Sequence, residues 1–204
     1  PPERLKLVPA YKANRAEMPD DMRRQMPVIE RITPLLGFNA IRVEGQEADD
    51  VMASYAREAR AAGAEVVLAT NDKDLMQLVD ERLRIYCPGK TDFELVDAGA
   101  VEKKWGVGPA LIPDLLALTG DSSDNIPGVP GIGEKTAIKF LQQFGSIDGL
   151  YQHLDAINGP KTRQALIDAQ TQVMHNRRLV TISTDLDLTF DPAQCATRDY
   201  DQEA

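Results

Sequence analysis

Cysteine and histidine are scarce in this 204-residue chain, and that scarcity narrows the chemistry it can carry. The two cysteines, Cys87 and Cys195, are far apart in unrelated contexts, which offers neither a zinc site nor a redox pair. Free thiols in a reducing, cytoplasmic setting are the expectation. The two histidines, His153 and His175, fall in helical segments and read as structural or surface groups. No apolar run approaches the length of a membrane span, no secretory signal opens the chain, and no repeat or low-complexity tract interrupts it. Positive charge is also in deficit. Lys and Arg number 23 against 32 Asp and Glu, and the net charge of −9 argues at first sight against a polyanion such as DNA. The 43% apolar and 27% charged content is that of an ordinary globular protein with a core.

What the chain does contain is a change of pattern near its middle. Residues 1–18 are polar and basic. Lys12 and Arg15, three apart beside Tyr11, would share one face of a helical turn: charge for a phosphate, a ring for a base. A solvated surface is the competing reading. A helix is predicted over Asp20–Leu36, with an apolar stripe of Met22, Met26, Ile29, Ile32 and Leu36 and a kink or break from Pro27 and Pro34. Strands are predicted over Phe38–Val43, Glu65–Thr70, Leu83–Cys87 and Phe93–Val96, with a helix to about Ala62 that turns Val51, Met52, Tyr55 and Ala59 inward, and a short one over Leu75–Val79. From Asp97 strands disappear. Helices follow over 98–105, 109–118, 135–144, 147–154, 161–169 and 171–179.

Strand–helix alternation predicts an α/β fold: a parallel, Rossmann-like sheet flanked by helices over residues 1–107, then a helical region over 108–185 and a tail or linker over 186–204 that frays in its last dozen residues. Such domains usually open on an apolar strand, so residues are expected upstream of Pro1. Ligands of these sheets sit at the carboxyl ends of the strands. Glu47, Asp49 and Asp50 follow the first predicted strand, Asp72 and Asp74 the second, and Asp121 and Asp124 a helix able to return to the same edge. Each group alone reads as a helix cap or a solvated turn. Converging, seven carboxylates would repel unless cations sat among them, and two Mg²⁺ or Mn²⁺ ions would neutralise them. Seven of the nine net negative charges would then belong to a metal site, and DNA regains its place as a partner.

The last acidic pair runs into Gly128, Gly131, Gly133, Lys135 and Thr136, just before a helix. Glycines there let a ligand approach the backbone, and free N–H groups suit phosphate oxygens. The spacing is neither that of a P-loop nor of an EF-hand.

These strings resemble the bacterial 5′-nuclease family, the 5′–3′ exonuclease domain of DNA polymerase I and related flap endonucleases. The resemblance rests on Tyr11-Lys-Ala-Asn-Arg15, Glu47-Ala-Asp-Asp50, Thr70-Asn-Asp-Lys-Asp-Leu75, the stretch Leu118–Gly128 and Gly131–Ala137, in the family's order over nearly the whole chain. It implies a PIN-like fold and a metal-dependent nuclease of replication and repair that removes 5′ flaps and primers. Two or three Mg²⁺ or Mn²⁺ ions would be held by Glu47, Asp49, Asp50, Asp72, Asp74, Asp121 and Asp124. Lys12 and Arg15 would be catalytic contacts to the scissile phosphate from an arch spanning residues 4–36, with Tyr11 beside a base. Residues 125–145 would form a helix–hairpin–helix motif, with Gly128, Gly131, Gly133, Lys135 and Thr136 gripping duplex DNA and a K⁺ ion. The resemblance also implies two further aspartates and a first strand upstream. Without them, this chain is expected to be inactive or nearly so, a monomer without membrane contacts, with a polymerase region as a covalent neighbour. A non-catalytic duplex-binding module is the alternative.

Overall fold

The computed structural model describes residues 2–89 and 92–196. Helix α1 (Pro2–Leu7) opens the chain, an element that its short basic stretch did not announce. An irregular segment leads to α2 (Asp20–Leu35), which runs unbroken across Pro27 and Pro34. Pro27 has no N–H to offer the Arg23 carbonyl, but no residue of α2 is buried, so water can satisfy that oxygen and the helix survives. Its apolar stripe is accordingly exposed, Ile29 and Leu36 both by about half.

The strand predicted over Phe38–Val43 is absent. These residues have no regular structure, and Phe38 and Ile41 are exposed. An isolated β segment has no partner for its backbone groups. Among the described residues this one pairs with no strand, and a cavity lined by Ile41, Val43, Val66 and Leu68 lies between it and the sheet. Helix α3 (Ala48–Ala61) buries Asp50, Ala53, Ser54, Ala56 and Ala59; of the residues predicted inward Ala59 is buried, and Val51, Met52 and Tyr55 are partly buried. Polar anchors set that phase: Asp50 is held by Arg4, and the Ser54 hydroxyl accepts from Leu186 N. Val51, Met52 and Tyr55 line the same cavity, of about 700 Å³, with Val66, Val67 and Leu68.

The sheet is small and mixed rather than parallel throughout. Strands β1 (Val66–Ala69) and β2 (Leu83–Pro88) pair in parallel, Val66 opposite Leu83. Strand β3 (Phe93–Val96) returns antiparallel on β2, because the link from Pro88 to Phe93 is too short for a crossover. Between β1 and β2 lies a 3₁₀ helix, Lys73–Leu78, whose Leu75 and Met76 are fully buried. The free thiols Cys87 and Cys195 are both half-buried, as the cysteine spacing led one to expect.

Beyond β3 come α4 (Ala98–Trp105), a 3₁₀ turn, and α5 (Ile112–Thr119). Two-residue strands β4 (Gly120–Asp121) and β5 (Ile126–Pro127) form a hairpin that the sequence reading missed. Helices α6 (Glu134–Phe144), α7 (Ile147–Gln152) and α8 (Pro160–Val180) follow, with a four-residue α9 (Pro192–Cys195) after them. Helix α8 replaces the two helices predicted there. Nothing in Ala169-Gln-Thr breaks a helix, and one buried stripe, Leu166, Ala169, Val173, Asn176 and Leu179, runs its length. His153 stacks on Phe144, consistent with a structural role. No helix among the described residues is long and apolar enough to cross a membrane.

Helix α5 packs along α8, and the two bring Leu115, Leu118, Leu166 and Val173 into the core. Each such leucine contributes about 2 kcal/mol by burial. The Asn176 amide then donates to Ala117 O (3.1 Å) and Pro127 O (2.7 Å), fixing the β4–β5 hairpin to the bundle. The hairpin closes so tightly that a Cβ on Gly128 would stand 2.2 Å from Thr119 O, and one on Gly120 2.3 Å from Gly128 N. Gly128→Ala should therefore cost about 3 kcal/mol or more in urea unfolding, whereas Gly133→Ala, where a Cβ meets nothing, should stay within about 1 kcal/mol.

Candidate metal centre

Three chain segments deliver carboxylates to one place because three different local structures end there. Glu47 precedes α3 and is its N-cap residue, yet its side chain caps nothing and turns to Arg4 and Lys12 instead. Asp72 and Asp74 follow β1. Asp72 does cap the 3₁₀ helix, accepting from Asp74 N at 3.0 Å. Asp121 lies on β4 and Asp124 in the turn to β5, both buried. Oxygens of Asp74, Asp121 and Asp124 come within 4.8 Å of one another. Glu47, Asp49, Asp72, Asp74 and Asp124 line a common cleft, together with Arg4, Tyr11, Lys12 and Arg15.

Asp50 is placed apart from them. Arg4 grips both of its oxygens, at 2.7 and 2.8 Å, and Ser183 N donates a third bond at 2.9 Å. The same guanidinium reaches Glu47 (2.8 Å) and Thr181 O (3.2 Å), so Arg4 ties α1, α3 and the end of α8 together.

Four of the remaining acids, Glu47, Asp74, Asp121 and Asp124, have a basic neighbour. Lys12 Nζ lies 2.9 Å from Glu47 and 3.6 Å from Asp124, Arg15 Nη2 lies 2.7 Å from Asp124, and Lys73 Nζ lies 2.6 Å from Asp121 and 3.5 Å from Asp74. Residues 10–15 are laid over the acidic turn through Lys12 N to Asp124 O (2.9 Å), Asn14 to Ser122 O (2.8 Å) and Asn125 to Ala10 O (2.8 Å). At that contact Lys12 and Asn125 both adopt φ of +57°, which rules out the helical turn predicted for Lys12 and Arg15. Tyr11 is buried, its hydroxyl 3.4 Å from Glu47 and 3.3 Å from Asp124, so its ring is packed inside rather than presented to a base.

Charge crowding shifts the acids in different directions. Burial, reinforced by Asp72, Asp121 and Asp124 and opposed by Lys73, pushes Asp74 up to about 6. Burial and Asp72 also raise Asp49. Burial works against Asp121 too, but the hydrogen bonds from Lys73 and Ser123 prevail and hold it below the usual carboxylate range. Burial and the charges of Glu47 and Asp124 raise the Tyr11 phenol. One oxygen of Asp74, Oδ1, is buried and accepts no hydrogen bond, since Lys73 at 3.5 Å makes only an ion pair with it. An orphaned carboxylate oxygen beside two further carboxylates is an all-oxygen donor set suited to a hard divalent cation.

The glycine loop leads from the hairpin into α6, with Gly133 as N-cap residue and Lys135 and Thr136 in the first turn. Gly128 serves the hairpin's close packing, whereas Gly131, at φ +79°, and Gly133 leave open space where a Cβ would be. Thr136 N already donates to Gly133 O at 3.0 Å, which leaves the N–H groups of Glu134 and Lys135 before it as the ones without an intrahelical partner.

Residues 1–106 match the family described as 5′-3′ exonuclease, N-terminal resolvase-like domain, and residues 107–203 match 5′-3′ exonuclease, C-terminal SAM fold. The chain belongs to the 5′–3′ exonuclease family. Its architecture is thus a resolvase-like α/β part followed by a SAM-like helical part. DNA polymerase I of Rhizobium leguminosarum is 41% identical over 188 residues, which are 92% of this chain and 18% of that protein. The chain therefore spans about a fifth of the length of such relatives. Among solved structures, a bacteriophage T5 protein co-crystallised with metal ions superposes with a TM-score of 0.76 at 23% identity, covering 89% of this chain and 70% of that one. A T5 flap endonuclease complex with DNA and metal ions gives 0.72 at 23%, covering 89% and 70%. Both share the fold.

Two groups in the site were not given a role by the sequence reading: Arg4, whose hold on Asp50 spans 46 residues, and Lys73, whose place between two aspartates was the available signal.

A raised Asp74 pKa means that the folded chain holds this proton more tightly than the unfolded chain. The stability it contributes is complete below about pH 4 and is lost as pH rises through about 6. Asp74→Asn should therefore stabilise the metal-free chain by about 1–2 kcal/mol at pH 8, with the gain shrinking on acidification through pH 6, in thermal melts in EDTA.

Proposed function

We propose that this chain is the nuclease part of a DNA polymerase I-type protein, hydrolysing phosphodiester bonds at the 5′ end of DNA and removing 5′ flaps and primers in replication and repair. The observation that carries this reading is the three-carboxylate group Asp74, Asp121 and Asp124 with its orphaned oxygen, beside a basic segment and a glycine loop.

Asp74, Asp121 and Asp124 would hold one divalent ion, Mg²⁺ or Mn²⁺, and Glu47, Asp49 and Asp72 would contribute to a second, directly or through water. When bound, such ions activate a water and stabilise the leaving oxygen of a phosphodiester. Asp50 supports the site from behind: its bonds to Arg4 and Ser183 N fix the start of α3 and hence Glu47. Lys12 and Arg15 have long side chains on an irregular segment, so they can exchange Glu47 and Asp124 for the oxygens of an incoming phosphate. Tyr11 positions that segment by packing beneath it. The open faces of Gly131 and Gly133, with Lys135 and Thr136 at the start of α6, suit the backbone phosphates of the duplex on the far side of the scissile bond. Residues 1–107 would form the α/β nuclease core with Glu47, Asp49, Asp72 and Asp74, residues 108–185 would add Asp121 and Asp124 and the duplex grip, and 186–204 would form the link to a polymerase region.

The test is release of a labelled 5′ flap from duplex DNA in Mg²⁺ and in EDTA, by this chain alone and with an upstream segment supplying the two aspartates of the family pattern. Magnesium-dependent release is expected with that segment, falling roughly 10²–10³-fold in Asp121→Asn while flap affinity changes little. Binding without cleavage under any divalent ion would leave a duplex-binding module and overturn the nuclease reading.

A further inference from the structure

Four basic side chains lie among the carboxylates, and they are anchored differently. Arg4, Lys12 and Arg15 belong to the N-terminal segment, which crosses the acidic turn through a few hydrogen bonds. Lys73 opens the 3₁₀ helix, separated from β1 by residues 70–72, and Leu75 and Met76, two and three residues further on, are sealed in the core. Its backbone cannot follow the N-terminal segment if that segment shifts toward DNA. Its ammonium stands at 2.6 Å from Asp121 and 3.5 Å from Asp74, on the edge shared by two of the three candidate metal ligands. The side chain is 31% exposed, so its four-carbon stem has a way out to solvent without unpacking the core.

Opposing demands meet at this residue. Without a cation between them, Asp74 and Asp121 repel, and Lys73 offsets that repulsion at short range. A divalent ion ligated by the same two carboxylates would stand a few ångströms from the ammonium and repel it in turn. We propose that Lys73 is a displaceable internal counter-ion: it holds Asp74 and Asp121 together, gives way when a divalent cation binds them, and thereby sets the metal affinity of the site. It is a positioning residue that competes with metal for the same oxygens. The inference rests on the metal-site reading above and adds the residue that tunes it. Lys12 and Arg15, paired with Glu47 and Asp124, can leave with their segment to engage phosphate, whereas Lys73 answers to the metal.

The experiment is Mn²⁺ binding by calorimetry to this chain and to Lys73→Met and Lys73→Arg, with thermal melts in EDTA and in Mn²⁺. Lys73→Met should bind Mn²⁺ about tenfold tighter than the unaltered chain, Lys73→Arg should bind about as the unaltered chain does, and Lys73→Met should melt lower in EDTA yet gain more from Mn²⁺. A merely structural lysine would lower both melting temperatures alike and leave Mn²⁺ affinity unchanged or weakened, which overturns the proposal. Should neither the unaltered chain nor Lys73→Met bind Mn²⁺, the metal-site reading falls and this inference with it. Binding in the unaltered chain without tightening in Lys73→Met sinks the inference alone. Mass-spectrometric acylation of the unaltered chain needs no variant: Mn²⁺ should raise modification at Lys73 several-fold, and an unmoved rate contradicts displacement.

Discussion

Buried like charges have to be neutralised, and this constraint shapes the place where the two halves of the chain meet. Asp74, Asp121 and Asp124 meet within 4.8 Å, with Glu47, Asp49 and Asp72 along the same cleft. At these distances carboxylates repel unless a cation intervenes or a proton binds. The chain answers with Arg4, Lys12, Arg15 and Lys73, and leaves one aspartate, Asp74, with a pKa of about 6. Much of the tertiary arrangement follows from those pairings. Arg4 brings α1 to α3 and to the end of α8. Lys12 and Arg15 bring an otherwise irregular segment across the turn between β4 and β5.

The helical half supplies the rigidity that the acidic turn needs. Helices α5 and α8 form a leucine-rich contact, and Asn176 passes that order to the hairpin through two carbonyls. Gly120 and Gly128 allow the hairpin strands to touch backbone to backbone. Asp121 and Asp124 are therefore presented by the hairpin that α5 and α8 support, while Asp72 and Asp74 are presented by the 3₁₀ helix after β1, and both sides share one core. The site lies where the two halves meet.

Legibility in the sequence differed by the range of the interaction. Periodicity located α3, α4, α6 and β1–β3, because local apolar spacing decides them. It placed Ala59 of α3 inward but missed Asp50 and Ser54, whose partners Arg4 and Leu186 lie 46 and 132 residues away. It proposed a strand at Phe38–Val43 that has nothing to pair with, and two helices where α8 is one. Asp72 and Asp74 were recognisable from their place after a strand, whereas Glu47, Asp49 and Asp50 follow no strand, and the pairing of the acids with specific cations was not legible. Tyr11 looked like a base-stacking ring, but it is buried against Glu47 and Asp124, 36 and 113 residues away, a contact that a sequence does not display. Lys73 was in plain view between two aspartates; its reach to Asp121 depends on the hairpin's position.

The central claim is that Asp74, Asp121 and Asp124 form a cation site whose place is held by basic side chains. Its most direct measurement is an anomalous difference map from crystals of this chain soaked in Mn²⁺. The account predicts a peak in ligating contact with Asp74 and Asp121, with the Lys73 ammonium moved away from both. A map with no peak among these carboxylates, or with a bound ion and Lys73 still against Asp121, would contradict it.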